Sequence, residues 1–175
     1  MVAPMVRTVG VAAVAALVLA AGACARKPAE RAETGAAQAL LASAWSQDDA
    51  AFEAVVDRQA VREDLRRQLA EMAQANGLAV DGGASNAALD RMITPHAFRL
   101  VDAASGMPLA AAPSRDQAAA LLKPLGKDRV CIHDQSSGQT CLLTFAKAKA
   151  GWRLVGMAPA GFTIAVVPEP VATKS

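Results

Sequence analysis

Three cysteines and two histidines are the residues of this 175-residue chain best suited to chemistry. Cys131 and Cys141 flank a run of turn residues, "IHDQSSGQT", with His133 two positions after the first of them. A redox reading needs a Cys-x-x-Cys at a helix N-terminus to lower a thiol pKa, and none occurs. A metal reading uses Cys131 and His133, which alternate onto one face of a strand. Two ligands are too few, so His96 and a carboxylate would have to complete a four-fold site. A staple reading needs only a hairpin closed at Ser136, from which Cys131 and Cys141 are equidistant. Directly opposed residues of antiparallel strands have Cα atoms about 4.5 or 5.5 Å apart, inside the roughly 4.4–6.8 Å range of disulfides. Closing such a loop of roughly 11 residues is worth about 3 kcal/mol, and less where the hairpin already favours closure. The stapled hairpin is therefore the expectation, with no cofactor and no metal.

The remaining polar candidates carry weaker signals. His96 falls in the first turn of a segment opened by Thr94-Pro95, where it reads as a surface residue or a weak pocket candidate. Asp48, Asp49, Glu53 and Asp57 gather four carboxylates in ten residues, but Asp48 and Asp57 sit where helix N-caps belong and the others read as solvated face. No Gly-x-Ser-x-Gly, phosphate-binding loop or His-Glu-x-x-His is present. An enzymatic role would need His96 or His133 to converge with a carboxylate in a pocket.

Cys24 belongs to a different part of the chain. "MVAPMVRT" carries one cation, Arg7, and is followed by an uncharged run from Val9 to Leu19. That run has the length of a signal-peptide core and is well short of the roughly 20 residues that span a bilayer. "AAGAC" then resembles the lipobox of bacterial lipoproteins, in which the cysteine is lipidated and becomes the new N-terminus. The pattern usually has Leu, Val or Ile three residues before the cysteine; here Ala21 stands there. Ordinary cleavage after Ala23 or Ala25, giving a soluble periplasmic protein, is the alternative. Export places the chain in an oxidising compartment, and lipid on Cys24 leaves Cys131 and Cys141 as an even pair. By resemblance to lipoprotein sorting in enteric bacteria, Ala25 after the cysteine favours the outer membrane over the inner.

The elements that must position these residues follow from periodicity. Residues 1–23 read as signal peptide, 24–35 as lipidated cysteine and polar tether, 36–167 as one α+β domain and 168–175 as a disordered tail. Ala37, Leu40, Leu41, Ala44 and Trp45 mark a helix face; Phe52, Val55 and Val56 mark a second; Val61, Leu65, Leu69 and Met72 mark a third, with Glu63 and Arg67 paired on its far side and Asn76-Gly77 ending it. Ser85 or Asn86 caps "AALDRMI", Pro95 opens "PHAFRLVDAA", and Ser114 with Gln117 forms a capping box before "RDQAAALLKPLG", which Pro124 and Gly126 end. "RVCIH", "TCLLTFA" and "WRLVGMA" then read as strands, with "FTIAVV" as a fourth. N-terminal helices packed on a C-terminal antiparallel β-meander of three to four strands are expected.

The order of these motifs resembles an uncharacterised family of bacterial envelope proteins, domain of unknown function 2939. "DDAAFEAVVD", "VREDLRRQL", "MITPHAFRLV" and "GWRLVGM" follow the family's order across most of residues 36–160. Asp57 and Arg62 fit its Asp…Arg spacing, which physically suggests a cap and an inter-helix ion pair. The layout also resembles cystatin-like and nuclear-transport-factor-like architectures, which often hold a pocket between sheet and helices. The resemblance implies fold and compartment, and no activity.

Lys and Arg total 18 against 16 acidic residues, mixed along the chain, so no electrostatic footprint for nucleic acid is visible in the sequence. The function expected is a non-enzymatic binding or scaffolding lipoprotein of the cell envelope, facing the periplasm. Its expected partners are the membrane, through lipid on Cys24, and another envelope protein or an apolar small molecule. The alternative is a small pocket enzyme, a hydrolase or isomerase, on a cystatin-like scaffold.

Overall fold

A computed structural model describes residues 31–78, 83–135, 137–159 and 161–168 of the chain. The signal segment, Cys24, Ser136 and the tail from Glu169 lie outside the described residues. The described chain is α+β, as expected. Helices α1 (Ala32–Ser46), α2 (Asp49–Val55), α3 (Arg58–Ala75) and α4 (Asn86–Met92) come first. Strand β1 (Phe98–Asp102) and helix α5 (Arg115–Leu121) follow. Strands β2 (Leu122–Gly126), β3 (Arg129–His133), β4 (Cys141–Ala148), β5 (Gly151–Met157) and β6 (Phe162–Val166) complete the domain.

Local chemistry sets the helix starts. Asp48, Asp57, Ser85 and Ser114 each accept a hydrogen bond from a backbone N–H of the first turn, satisfying donors that have no partner within the helix. Ser114 and Gln117 form the reciprocal capping box. Helix α1 begins at Ala32, so Ala32–Gly35, expected in the tether, are its first turn, and Thr34 there is buried. Ala37, Leu40, Leu41 and Ala44 are buried as the spacing predicts. Trp45 is not: it is 42% exposed. Along α3, Val61 and Leu65 are fully buried and Leu69 packs at the edge of the core, while Met72 is solvent-facing. Arg67 pairs with Asp64 and Glu71, and Glu63 accepts from Gln59, in place of the expected Glu63–Arg67 pair.

The sheet is an antiparallel meander in the order β2-β3-β4-β5. Its fourth strand is "LKPLG", which the helical period had absorbed. Pro124 is tolerated there because β2 is an edge strand, where a missing N–H breaks no inner ladder. "FTIAV" is a strand too, but it pairs in parallel with β1, Phe98 opposite Phe162 and Asp102 opposite Val166. Only a 3-10 turn over Pro95–Ala97 remains of the expected helix at Pro95. A parallel pair needs a long crossover; here α5 and the whole meander lie between the two strands. Phe98 and Phe162 stack with ring centroids 5.2 Å apart.

Both sheets and the helices share one core, from Ala37 to Val166, with Phe52, Phe145, Leu143, Leu154 and Ile164 at or near complete burial. The α2–α3 junction docks on the free edge of β5, where the Asp57 N–H donates to the Leu154 carbonyl at 2.8 Å. Gly156 admits α3: a Cβ there would lie 2.6 Å from Oδ2 of Asp64.

Candidate binding cleft

The two cysteines come together, though by a different register from symmetric pairing. The hairpin closes with the Asp134 N–H donating to the Thr140 carbonyl, and β4 carries a bulge at Leu142. His133 therefore stands opposite Cys141, and Cys131 opposite Thr144. The bulge bends the strand locally, and Cys131 and Cys141 still stand at disulfide-bonding distance, with Cα atoms 5.9 Å apart. Cys131 is fully buried. The sulfur of Cys141 lies 3.0 Å from Oγ1 of Thr144.

The histidines are placed separately. His96 is exposed in the turn before β1. His133 is half-buried at the end of β3, and its Nδ1 is enclosed without a hydrogen-bond partner. Neither is hydrogen-bonded to a carboxylate among the described residues. No group of three or more His, Cys, Asp or Glu suited to a metal ion occurs among the described residues, so Cys131 and His133 gain no further ligands there.

Asp57 and Arg62 take the roles their spacing suggested. Asp57 caps α3, and Arg62 reaches α4, where Nε and Nη2 both donate to Asp90 at 2.7 Å. Arg58 adds Nη1 to the same carboxylate at 3.0 Å and Nη2 to the Ile93 carbonyl at 3.3 Å, and it also binds Glu53. The bidentate bond from Arg62 holds the Asp90 carboxyl below the usual aspartate range against the opposing effect of desolvation, and the bond from Arg58 adds to it. The guanidinium groups are raised in turn, Arg58 chiefly by its bond to Glu53 and Arg62 by its bond to Asp90. This cluster fastens α2, α3 and α4 together.

The structure also opens a cleft that the sequence did not announce. It lies between the end of α1 and β1, encloses about 270 Å³, and is lined by Trp45, Phe98, Leu100, Val101, Pro108 and Leu109, with Gln47 and Arg99 at its polar parts. Its outer wall is the loop after β1. There Asp102 accepts from the N–H groups of Ala104 (3.0 Å) and Ser105 (2.8 Å) and from the Ser105 hydroxyl (2.9 Å). Those bonds, led by the Ser105 N–H, lower the Asp102 pKa. Gly106 turns the chain at φ +70°, a conformation suited to glycine. The Asp102 N–H then donates to the Met107 carbonyl, and Leu109 bonds back to Leu100.

Trp45 forms the other wall. Its indole N–H donates to the Leu109 carbonyl at 3.0 Å, fixing the ring across the cleft mouth while 42% of the residue faces solvent. Met107, next in sequence to the lining Gly106 and Pro108, is 64% exposed. A rigid tryptophan with its polar tip satisfied, a flexible methionine and an apolar floor can receive an apolar side chain. The sequence held one signal of this site: "GMPL", three apolar residues in a loop. Trp45 itself was masked, because its spacing continues the buried stripe of α1.

Compared with protein-family models, with curated proteins and with solved structures, the chain matches none of them.

Proposed function

We propose that this chain is an exported lipoprotein of the bacterial cell envelope, related to the family of domain of unknown function 2939. Lipid on Cys24 anchors it, in the outer membrane and facing the periplasm, and it works as a non-catalytic binding module. Its site is the cleft between Trp45 and the loop after β1, and its ligand is an apolar side chain presented by another envelope protein. A disulfide between Cys131 and Cys141 closes the β3–β4 hairpin in the oxidising periplasm.

The observation that carries this reading is the half-exposed Trp45 held over an apolar floor. Large aromatic residues with fixed rings dominate the energetics of protein interfaces, because they bury much area at little entropic cost. The cleft volume of about 270 Å³ is below the roughly 300–1,000 Å³ typical of small-molecule pockets, which favours a single anchoring side chain. The signal core and lipobox-like segment supply the compartment, and the resemblance noted above agrees with it.

Two measurements test the parts separately. A photocrosslinking amino acid at Met107 should give a discrete adduct in intact cells that Trp45→Ala abolishes, while the equally exposed Leu78 gives none. The same adduct pattern from both positions would remove the cleft as the site. Intact mass of the membrane-extracted protein should show a chain starting at Cys24 with diacylglyceryl and acyl mass. Two thiols should be alkylated only after reduction. An unmodified chain with Cys131 and Cys141 alkylated before reduction would remove both anchor and staple.

A further inference from the structure

In a meander, alternate turns fall at the same end of the sheet. The β2–β3 and β4–β5 turns therefore share one end, and the backbone confirms their adjacency: the Lys147 N–H donates to the Asp128 carbonyl at 3.0 Å. That end gathers Lys127, Arg129, Lys147 and Lys149, with Lys123 behind them in β2 opposite Cys131, and all five are exposed. Among the described residues none of the five forms a salt bridge. Asp128 is the one acid within the two turns. At that end four cations against one acid make a local charge of +3 on a chain whose formal net charge is +2. The flanking groups balance: Arg31 and Arg153 stand beside these turns with Glu33 and Asp57, and Arg58 is held by Glu53 and Asp90. Leu125, at the tip between Lys123 and Lys127, is 46% exposed.

We propose that this end of the sheet docks on a surface of anionic phospholipid headgroups. The choice of occupant rests on the reading of Cys24 as a lipid anchor, because the anchor puts a membrane within reach. Arg31 and Glu33, at the start of α1, line a cavity of about 390 Å³ together with Gly126 and Lys127 of the β2–β3 turn. Arg31 lies seven positions beyond Cys24, and a chain of that length extends at most about 25 Å. A lipidated Cys24 thus holds the basic turns close to its own membrane. Within a Debye length of roughly 8 Å, unpaired lysines are drawn to an anionic leaflet, and an exposed leucine among them can enter the headgroup layer. One acyl anchor and one basic patch then act as two signals, and the cleft at Trp45 is carried in a fixed attitude to the membrane.

The test uses the chain from residue 24 onward with Cys24→Ser, which keeps every described residue and carries no lipid. Its co-sedimentation is measured with vesicles of phosphatidylcholine alone and with vesicles containing an equal part of phosphatidylglycerol. Binding is expected on the anionic vesicles only, declining as salt is raised. The combined substitution Lys123→Gln, Lys127→Gln, Lys147→Gln and Lys149→Gln should weaken it roughly tenfold or more, with an unchanged far-ultraviolet circular dichroism spectrum. Equal binding to both vesicles, no binding to either, or full binding by the substituted chain would overturn the proposal. Salt-sensitive binding of a single-stranded oligonucleotide with none of vesicles would also overturn it. The anchor fails separately, in the mass of the cellular protein.

Discussion

Asp90 shows how much one residue can organise. It receives both arms of Arg62 and one of Arg58, and these bonds depress its pKa in the folded chain. Unfolded, the same carboxyl titrates near about 3.9. Its contribution is therefore fully present above that value and is lost as the pH falls through the lower folded value. Denaturant unfolding should find Asp90→Asn less stable than the native chain at pH 7, with the difference shrinking as the pH is lowered below about 4. A difference that stays constant down to pH 2 would show that Asp90 acts by packing or neutral hydrogen bonding. At this scale the sequence was partly legible. A cap followed five residues later by an arginine suggested an inter-helix ion pair, and Arg62 makes one, but its partner lies 28 residues on. Nothing local names a partner at that separation. Trp45 was misread for a related reason: helical spacing says which residues share a face, not how far along the helix its cover extends.

Among the elements, those whose determinants are local were legible: the four caps, the capping box and the β3–β5 hairpins. Strand β1 was not, because Pro95 satisfies a helix-start rule and "FRLVD" has no alternation strong enough to oppose it. Its strand character comes from β6, whose Phe162 lies 64 residues beyond Phe98. Residue Gly35 tests another boundary that composition misplaced. The polar run before it suggested a tether, yet the structure places it in the first turn of α1. A Cβ at Gly35 would meet Nη2 of Arg115 at 2.7 Å, the far end of a side chain free to swing aside. Gly35→Ala should therefore raise stability by about 0.5–1 kcal/mol, the usual penalty of glycine within a helix. Its measurement is the urea midpoint. An unchanged or lower midpoint would mean that α1 begins after residue 35.

At the scale of the whole molecule, two sheets that share no hydrogen-bonded strand pair still form one unit. The β1–β6 pair is joined to the meander through α1, which packs on β1, β4 and β5, and through a single core cluster. If that core is continuous energetically, the cleft cannot melt apart from the meander. The two tryptophans report on this directly, since Trp45 stands at the cleft and Trp152 in β5. Emission from Trp152→Phe, which leaves Trp45, and from Trp45→Phe, which leaves Trp152, should give thermal midpoints that coincide with far-ultraviolet circular dichroism of the same variant. Phe145 is fully buried in β4, and Phe145→Ala should cost about 3–5 kcal/mol. That loss should lower the Trp45 transition and the Trp152 transition together. An earlier Trp45 transition, insensitive to Phe145→Ala, would instead make the β1–β6 layer a separately melting cover, and the cleft would open without unfolding the sheet that carries the basic turns.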